Sequence, residues 1–306
     1  MRGGRAAAGS RTIGAMIVSH FLDLPNGQQL HVLEAGAGPL LLFLHGFPEY
    51  SGMWRRQLEH FSPTHLCVAP DQRGYNLSSK PLAVRDYRAK PLVEDVIQIA
   101  DAFGHERFTL VAHDWGGAIA WNVAAWHPER VERLVVINAP HPMTFLRELK
   151  TNPAQVEASA YMTLFRTDKA ERVMAEDEFR RLQRMTVDQW AANGGDASPA
   201  TVAGYLSAWS QPGALTAMLN WYRASPLHPP EPDAPLPELD PAQFHVRMPT
   251  LVIWGERDQA LLPGIIDGLG AHVDDLRIQR IPDASHWVVH ERGARVNELI
   301  ERFLAE

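Results

Sequence analysis

The chain has 306 residues, 45% of them hydrophobic and 21% charged, with a formal net charge of −7 and one cysteine, Cys67. That length suffices for a sizeable core, as one large domain or a core with an insertion. The acidic balance gives no basic footprint for nucleic acid, and one cysteine excludes an internal disulfide and fits a reducing compartment.

Residues 1–15, "MRGGRAAAGSRTIGA", are small and basic without the apolar centre of a secretory signal. They read as a disordered extension ahead of Met16. No apolar run reaches the ~18 residues a membrane span needs, so the expectation is a cytoplasmic protein without membrane contact. From Met16 onward, strand-like and helix-like segments alternate. "QLHVLEAG" (29–36) alternates polar and apolar residues as a half-buried strand does, whereas "LLLFLHG" (40–46) is a continuous apolar run suited to a central parallel strand. "LCVAP" (66–70) and "FTLVAH" (108–113) repeat the second pattern. "PLVEDVIQIADAFG" (91–104) has helical spacing closed by Gly104, and "GGAIAWNVAAWHPERV" (116–131) is a helix ended by Pro128. "RLVVINAP" (133–140) is a further buried strand. Such alternation predicts a mostly parallel sheet with helices on both faces.

The rhythm breaks near His141. Residues 142–224 carry helical patterns without buried strands, and "SPLHPPEPDAPLPELDP" (225–241) reads as an extended connection. Strand patterns resume in "PTLVIWGERD" (249–258) and "LRIQRIP" (276–282), before a helix over 291–304. The expected division is an α/β core over 16–141 and 242–306 with an inserted helical cap over 142–241.

In open parallel sheets, ligands bind at the carboxyl ends of the strands. Four segments fall there: "HGFPE" (45–49), "AHDWGG" (112–117), "GERD" (255–258) and "DASHW" (283–287). Ala112-x-Asp114-x-Gly116 has the form small-x-nucleophile-x-Gly between a strand and a helix, the pattern of a sharp turn that presents its middle residue. Asp114 there stands near the positive end of the helix, which favours an anion. Taken alone, Asp114 fits a helix cap equally well, His286 a surface histidine and Asp258 a turn residue.

Together, His45-Gly46-Phe47-Pro48-Glu49, His113-Asp114-Trp115-Gly116-Gly117, Asp258, His286-Trp287 and the loop "PDQRGYNLSSKP" (70–81) resemble the epoxide hydrolase and haloalkane dehalogenase group of the α/β-hydrolases over nearly everything after Met16. The resemblance implies Asp114 as nucleophile, His286 as base and Asp258 as its carboxylate partner. It also implies oxyanion-hole N–H groups at Phe47 and Trp115, and a cis bond at Phe47-Pro48 where trans is the general expectation. The chemistry agrees with those roles. A carboxylate of pKa ~3.9 is already an anion at neutral pH. Its attack on a saturated carbon gives an ester that water can cleave, whereas serine would give an inert ether.

The leaving group separates the two activities. An alkoxide needs an acid beside it, and epoxide hydrolases share two cap tyrosines; Tyr161, opening "YMTLF", and Tyr205, eight residues before Gly213, stand in matching contexts. Tyr222 in "NWYR" reads as structural. Phe47, Pro48, Trp115, Tyr161 and Tyr205 form the expected substrate-binding set. The leading expectation is an epoxide hydrolase acting on a small apolar epoxide and water, as a monomer or homodimer, with no metal and no cofactor. The alternative is a haloalkane or haloacid dehalogenase using the same Asp114, with Trp115 and one of Trp190, Trp209 or Trp221 holding halide. Residues 115–129 contain no Arg or Lys, which argues against a haloacid. A catalytically silent hydrolase fold used as a receptor is the third reading. His286-x-x-x-His290-Glu291 has one-face spacing, but its Glu is misplaced for the helical zinc motif.

Overall fold

The computed structural model describes residues 16–231 and 235–306, so the expectation for residues 1–15 lies outside the described residues. Eight strands form one sheet: Val18–Asp23 (β1), Gln29–Ala35 (β2), Leu40–Leu44 (β3), Leu66–Pro70 (β4), Phe108–His113 (β5), Val131–Ile137 (β6), Thr250–Gly255 (β7) and Leu276–Ile281 (β8). Their order is β1-β2-β4-β3-β5-β6-β7-β8. The β1–β2 and β2–β4 pairs are antiparallel, and the others are parallel.

The continuous apolar runs follow from burial on both faces. Leu42, Leu44, Leu110, Ala112, Leu134 and Val136 enter one core with residues of Ala89–Ala102 and Trp115–Trp126. The alternate residues Leu41, Phe43, Val111, Val135 and Ile137 enter a second core with Leu58, Phe61, Ile300 and Phe303. The central strands β3, β5 and β7 therefore bury every side chain, as a parallel sheet between helical layers requires. β2 is buried along most of its length, more than the half-buried strand its alternation suggests. β1 gave no separate signal in the sequence; it is an exposed edge strand.

The helices are Arg55–Phe61 (α1), Ala89–Ala102 (α2), Trp115–Trp126 (α3), Pro142–Thr151 (α4), Pro153–Ala158 (α5), Tyr161–Phe165 (α6), Ala170–Met185 (α7), Val187–Ala192 (α8), Pro199–Trp209 (α9), Ala214–Ala224 (α10), Val288–Glu291 (α11) and Gly293–Leu304 (α12). α3 stops at Trp126, two residues before Pro128, because the residue preceding a proline avoids helical backbone. Helices α4 to α10 all fall between β6 and β7 in the chain. Among the described residues, no helix is long and apolar enough to cross a membrane.

Candidate active site

The loops after the parallel strands β3, β5, β7 and β8 deliver the site. β5 ends at His113, and Asp114 follows with φ 51° and ψ −122° before α3 begins. A non-glycine residue there is strained, and the close packing around it sustains the strain. A Cβ on Gly116 would come within 2.5 Å of the Leu44 and His45 carbonyl oxygens, and one on Gly46 would collide with the Asp114 carboxylate. The glycines let the β3 and β5 loops close on one another, which brings Phe47 N–H onto Asp114 Oδ1 at 2.7 Å. The Phe47-Pro48 peptide is cis.

His286 lies opposite. Its Nε2 is 3.5 Å from Asp114 Oδ2, and its Nδ1 is 2.7 Å from Asp258 Oδ2. Asp258, after β7, is held on every side. Its Oδ2 also accepts from Asn138 Nδ2 at 2.8 Å, and its Oδ1 accepts from the Ala260 and Leu261 N–H groups, each at 2.9 Å. Asn138 in turn accepts Gly255 N–H at 2.8 Å, so the end of β6 positions the acid at the end of β7.

Charge explains the protonation states. Burial disfavours the Asp114 anion, but the hydrogen bond and charge of His286, with the Phe47 N–H, outweigh it and hold its pKa below the ordinary carboxylate value. Burial also disfavours imidazolium at His286, yet Asp258 and Asp114 together raise it well above the ordinary imidazole value. Both shifts favour the charged forms, an Asp114 carboxylate beside a His286 imidazolium.

Two cavities meet at Asp114, Tyr161 and Tyr222. One, of about 270 Å³, is mostly apolar and includes Trp115, Ile119, Phe145, Met162 and Leu227. The other, of about 480 Å³, runs past Phe47, Pro48, Gln189, Asn193, Asp258 and His286. The Tyr161 and Tyr222 rings stand edge to face with centroids 6.1 Å apart, and Tyr222 also packs edge-on against Trp115 at 5.0 Å and Phe47 at 5.1 Å. Burial, reinforced by the negative charge of Asp114, pushes both phenols above their ordinary pKa. Both are protonated donors throughout the physiological range.

The alpha/beta hydrolase fold family model matches residues 39–293. Epoxide hydrolase 2 of Caenorhabditis elegans is 34% identical over 296 residues, covering 94% of this chain and 79% of its own. The AB hydrolase superfamily protein YfhM of Bacillus subtilis is 37% identical over 288 residues, covering 91% and 95%. A crystal structure of Bacillus megaterium epoxide hydrolase with an inhibitor superposes with a TM-score of 0.87 at 36% identity, covering 94% of this chain and all of that one. The chain belongs to the α/β-hydrolase family. Within it, it groups with the epoxide hydrolases.

In this α/β-hydrolase one expected site residue stands elsewhere. Tyr205 lines neither cavity; its hydroxyl donates to Glu49 Oε1 at 3.0 Å. Tyr222, read from sequence as structural, occupies the place beside Tyr161. The reason is the facing surface of each helix: α9 presents its phenol to the buried Glu49 carboxylate, while α10 places Trp221 and Tyr222 in the lining of the apolar cavity that Asp114 also lines. Met218, Trp221 and Tyr222 share one face of α10 at i, i+3, i+4 spacing, the signal available in the sequence. The structure also adds Glu49, which bonds His113 Nδ1 at 3.1 Å and His290 Nε2, while His113 Nε2 meets the His286 carbonyl at 2.9 Å. His290 thus engages Glu49, and Glu291 accepts the Ser285 N–H at 2.7 Å, so the one-face spacing with His286 serves separate partners.

Proposed function

We propose that this protein hydrolyses epoxides to vicinal diols through a covalent ester on Asp114. The observation that carries the reading is that one carboxylate, Asp114, and two buried phenols, Tyr161 and Tyr222, line the junction of the two cavities together. A halide leaves without a proton and has no use for such acids; an epoxide oxygen has.

In the first step Asp114 attacks a ring carbon and the carbon–oxygen bond breaks. The oxygen takes its electron pair and receives hydrogen bonds, then a proton, from Tyr161 and Tyr222. Ester formation removes the Asp114 charge, so the His286 cation loses one of the two anions that stabilised it. His286 then releases its proton to solvent, and a solvent proton restores the phenolate left when the alkoxide was protonated, so the charges balance. As a neutral base it accepts a proton from water attacking the Asp114 ester carbonyl. The oxyanion formed there faces the Phe47 N–H and the Trp115 N–H, the latter without a helical acceptor because it opens α3. Collapse releases the diol, the proton on His286 goes to the leaving alkoxide, and the new acid on Asp114 returns one to the imidazole. Asp258 holds the His286 ring in register throughout.

On this reading residues 142–241 are a cap over a core of 16–141 and 242–306, and the single buried cysteine fits a cytoplasmic setting. A panel of aryl and alkyl epoxides beside matched haloalkanes, with diol and halide both measured, tests the assignment. Diol from epoxides without halide release supports it; halide release without diol overturns it.

A further inference from the structure

Away from the cleft, Ser19 on β1, His31 on β2 and Asp71 after β4 repeat a relay seen at the catalytic histidine. His31 Nδ1 is 2.7 Å from Asp71 Oδ2, and His31 Nε2 is 2.7 Å from Ser19 Oγ. At the catalytic histidine the matching distances are 2.7 Å to Asp258 and 3.5 Å to Asp114. None of the three residues lines either cavity at Asp114. The antiparallel register pairs Phe21 with His31 and Ser19 with Leu33, which sets Ser19 and His31 two positions apart diagonally on one face.

The tautomer follows from the partners. Asp71 is fully buried and also accepts from Ser51 N–H at 2.8 Å and Asn76 Nδ2 at 2.7 Å. Burial works against its charge, but its bonds to His31 and Ser51 hold its pKa below the ordinary value. A carboxylate only accepts, so His31 carries a hydrogen on Nδ1, and in the neutral ring Nε2 is the nitrogen left to accept from the Ser19 hydroxyl. The imidazole is flanked on a further side by the edge-on Phe21 ring at 5.5 Å, and the His31 backbone N–H donates to Ser78 Oγ at 2.9 Å. Ser19 itself is exposed. Nucleophile, oriented base and buried carboxylate in this geometry are what serine activation requires.

We propose that Ser19 is a second, activated nucleophile of this protein, a surface site of covalent modification by acyl donors with good leaving groups, such as acyl phosphates. Ser19 Oγ attacks the acyl carbon, the bond to the leaving group breaks with its electron pair, and the serine proton passes to His31 Nε2 and on to solvent. A purely structural role for the His31–Asp71 pair predicts an ordinary, unreactive serine instead.

The test uses the full chain with a fluorophosphonate probe, in which oxygen–phosphorus bond formation expels fluoride, and with acetyl phosphate in parallel; adducts are mapped by peptide mass spectrometry. The expected result is an adduct on Ser19 formed at least tenfold faster than on any other serine. It disappears in Ser19→Ala, which keeps epoxide hydrolysis unchanged, and slows at least tenfold in His31→Gln or Asp71→Asn. A wild-type protein that acquires no adduct at Ser19 overturns the proposal, whether or not the relay variants fold. Equal labelling of wild type and a folded relay variant also overturns it.

Discussion

Replacing Tyr222 by Phe removes one of the two phenol hydroxyls at the cavity junction that Asp114 lines and leaves the ring packing against Trp115 and Phe47 in place. The phenol is held protonated by burial, so the loss is one hydrogen bond to an oxygen that gains negative charge as the ring opens. Removal of one such preorganised donor costs about 2.7–4 kcal/mol, or roughly 10²–10³ in rate. The effect falls on ester formation and leaves ester hydrolysis nearly unchanged, because His286 and the Phe47 N–H are untouched. Rapid-quench single-turnover experiments, with alkyl-enzyme followed by intact mass and diol by chromatography, separate the two steps. Tyr205→Phe is the matched control. Its hydroxyl serves Glu49, so it lowers stability by about 1.5–3 kcal/mol, the worth of a hydrogen bond to a charged group, with ester formation slowed little. Near-normal ester formation in Tyr222→Phe, together with its loss in Tyr205→Phe, refutes the placement of the two tyrosines.

Other consequences follow from the same geometry. His286→Gln keeps ester formation but slows hydrolysis ~10²–10⁴-fold, so one equivalent of alkyl-enzyme accumulates and is seen as a mass increase equal to the substrate. Glu49 carries a fully buried carboxylate whose pKa is depressed by His290 and His113 against the opposing effect of burial. A depressed carboxylate stabilises the fold above its unfolded pKa of about 4.3, and the contribution fades as pH falls below that. Glu49→Gln therefore lowers stability at pH 7 by about 3–5 kcal/mol in urea unfolding, and the deficit shrinks in acid. Cys67 is buried and its thiol is pushed up to about 12 by desolvation, so a disulfide reagent at pH 8 labels it only as fast as the protein unfolds.

The elbow was the most legible part of the sequence, because its physics constrains neighbours as well as the nucleophile. Asp114 needed Gly116 at a fixed offset and a loop glycine, Gly46, across from it, and all three are visible in one dimension. Asp258 and His286 were legible by their position at strand ends. Tyr205 and Tyr222 were harder. Which phenol reaches Asp114 depends on how α9 and α10 are rotated against the sheet, and both helices carry apolar residues on more than one side. Asn138 shows a different limit: its function is to hold Asp258 and the Gly255 N–H across two strand ends, a contact 120 residues away in sequence. The two-sided cores explain why β3, β5 and β7 read clearly, whereas β1, an exposed edge strand, has too little burial to leave a pattern.

A single turnover in heavy-oxygen water tests the covalent route most directly. With enzyme in excess over epoxide, the label appears in the carboxylate of the peptide containing Asp114, and the first diol formed is unlabelled. Label entering that diol directly, with none at Asp114, contradicts attack by the aspartate and leaves water itself as the nucleophile on the ring.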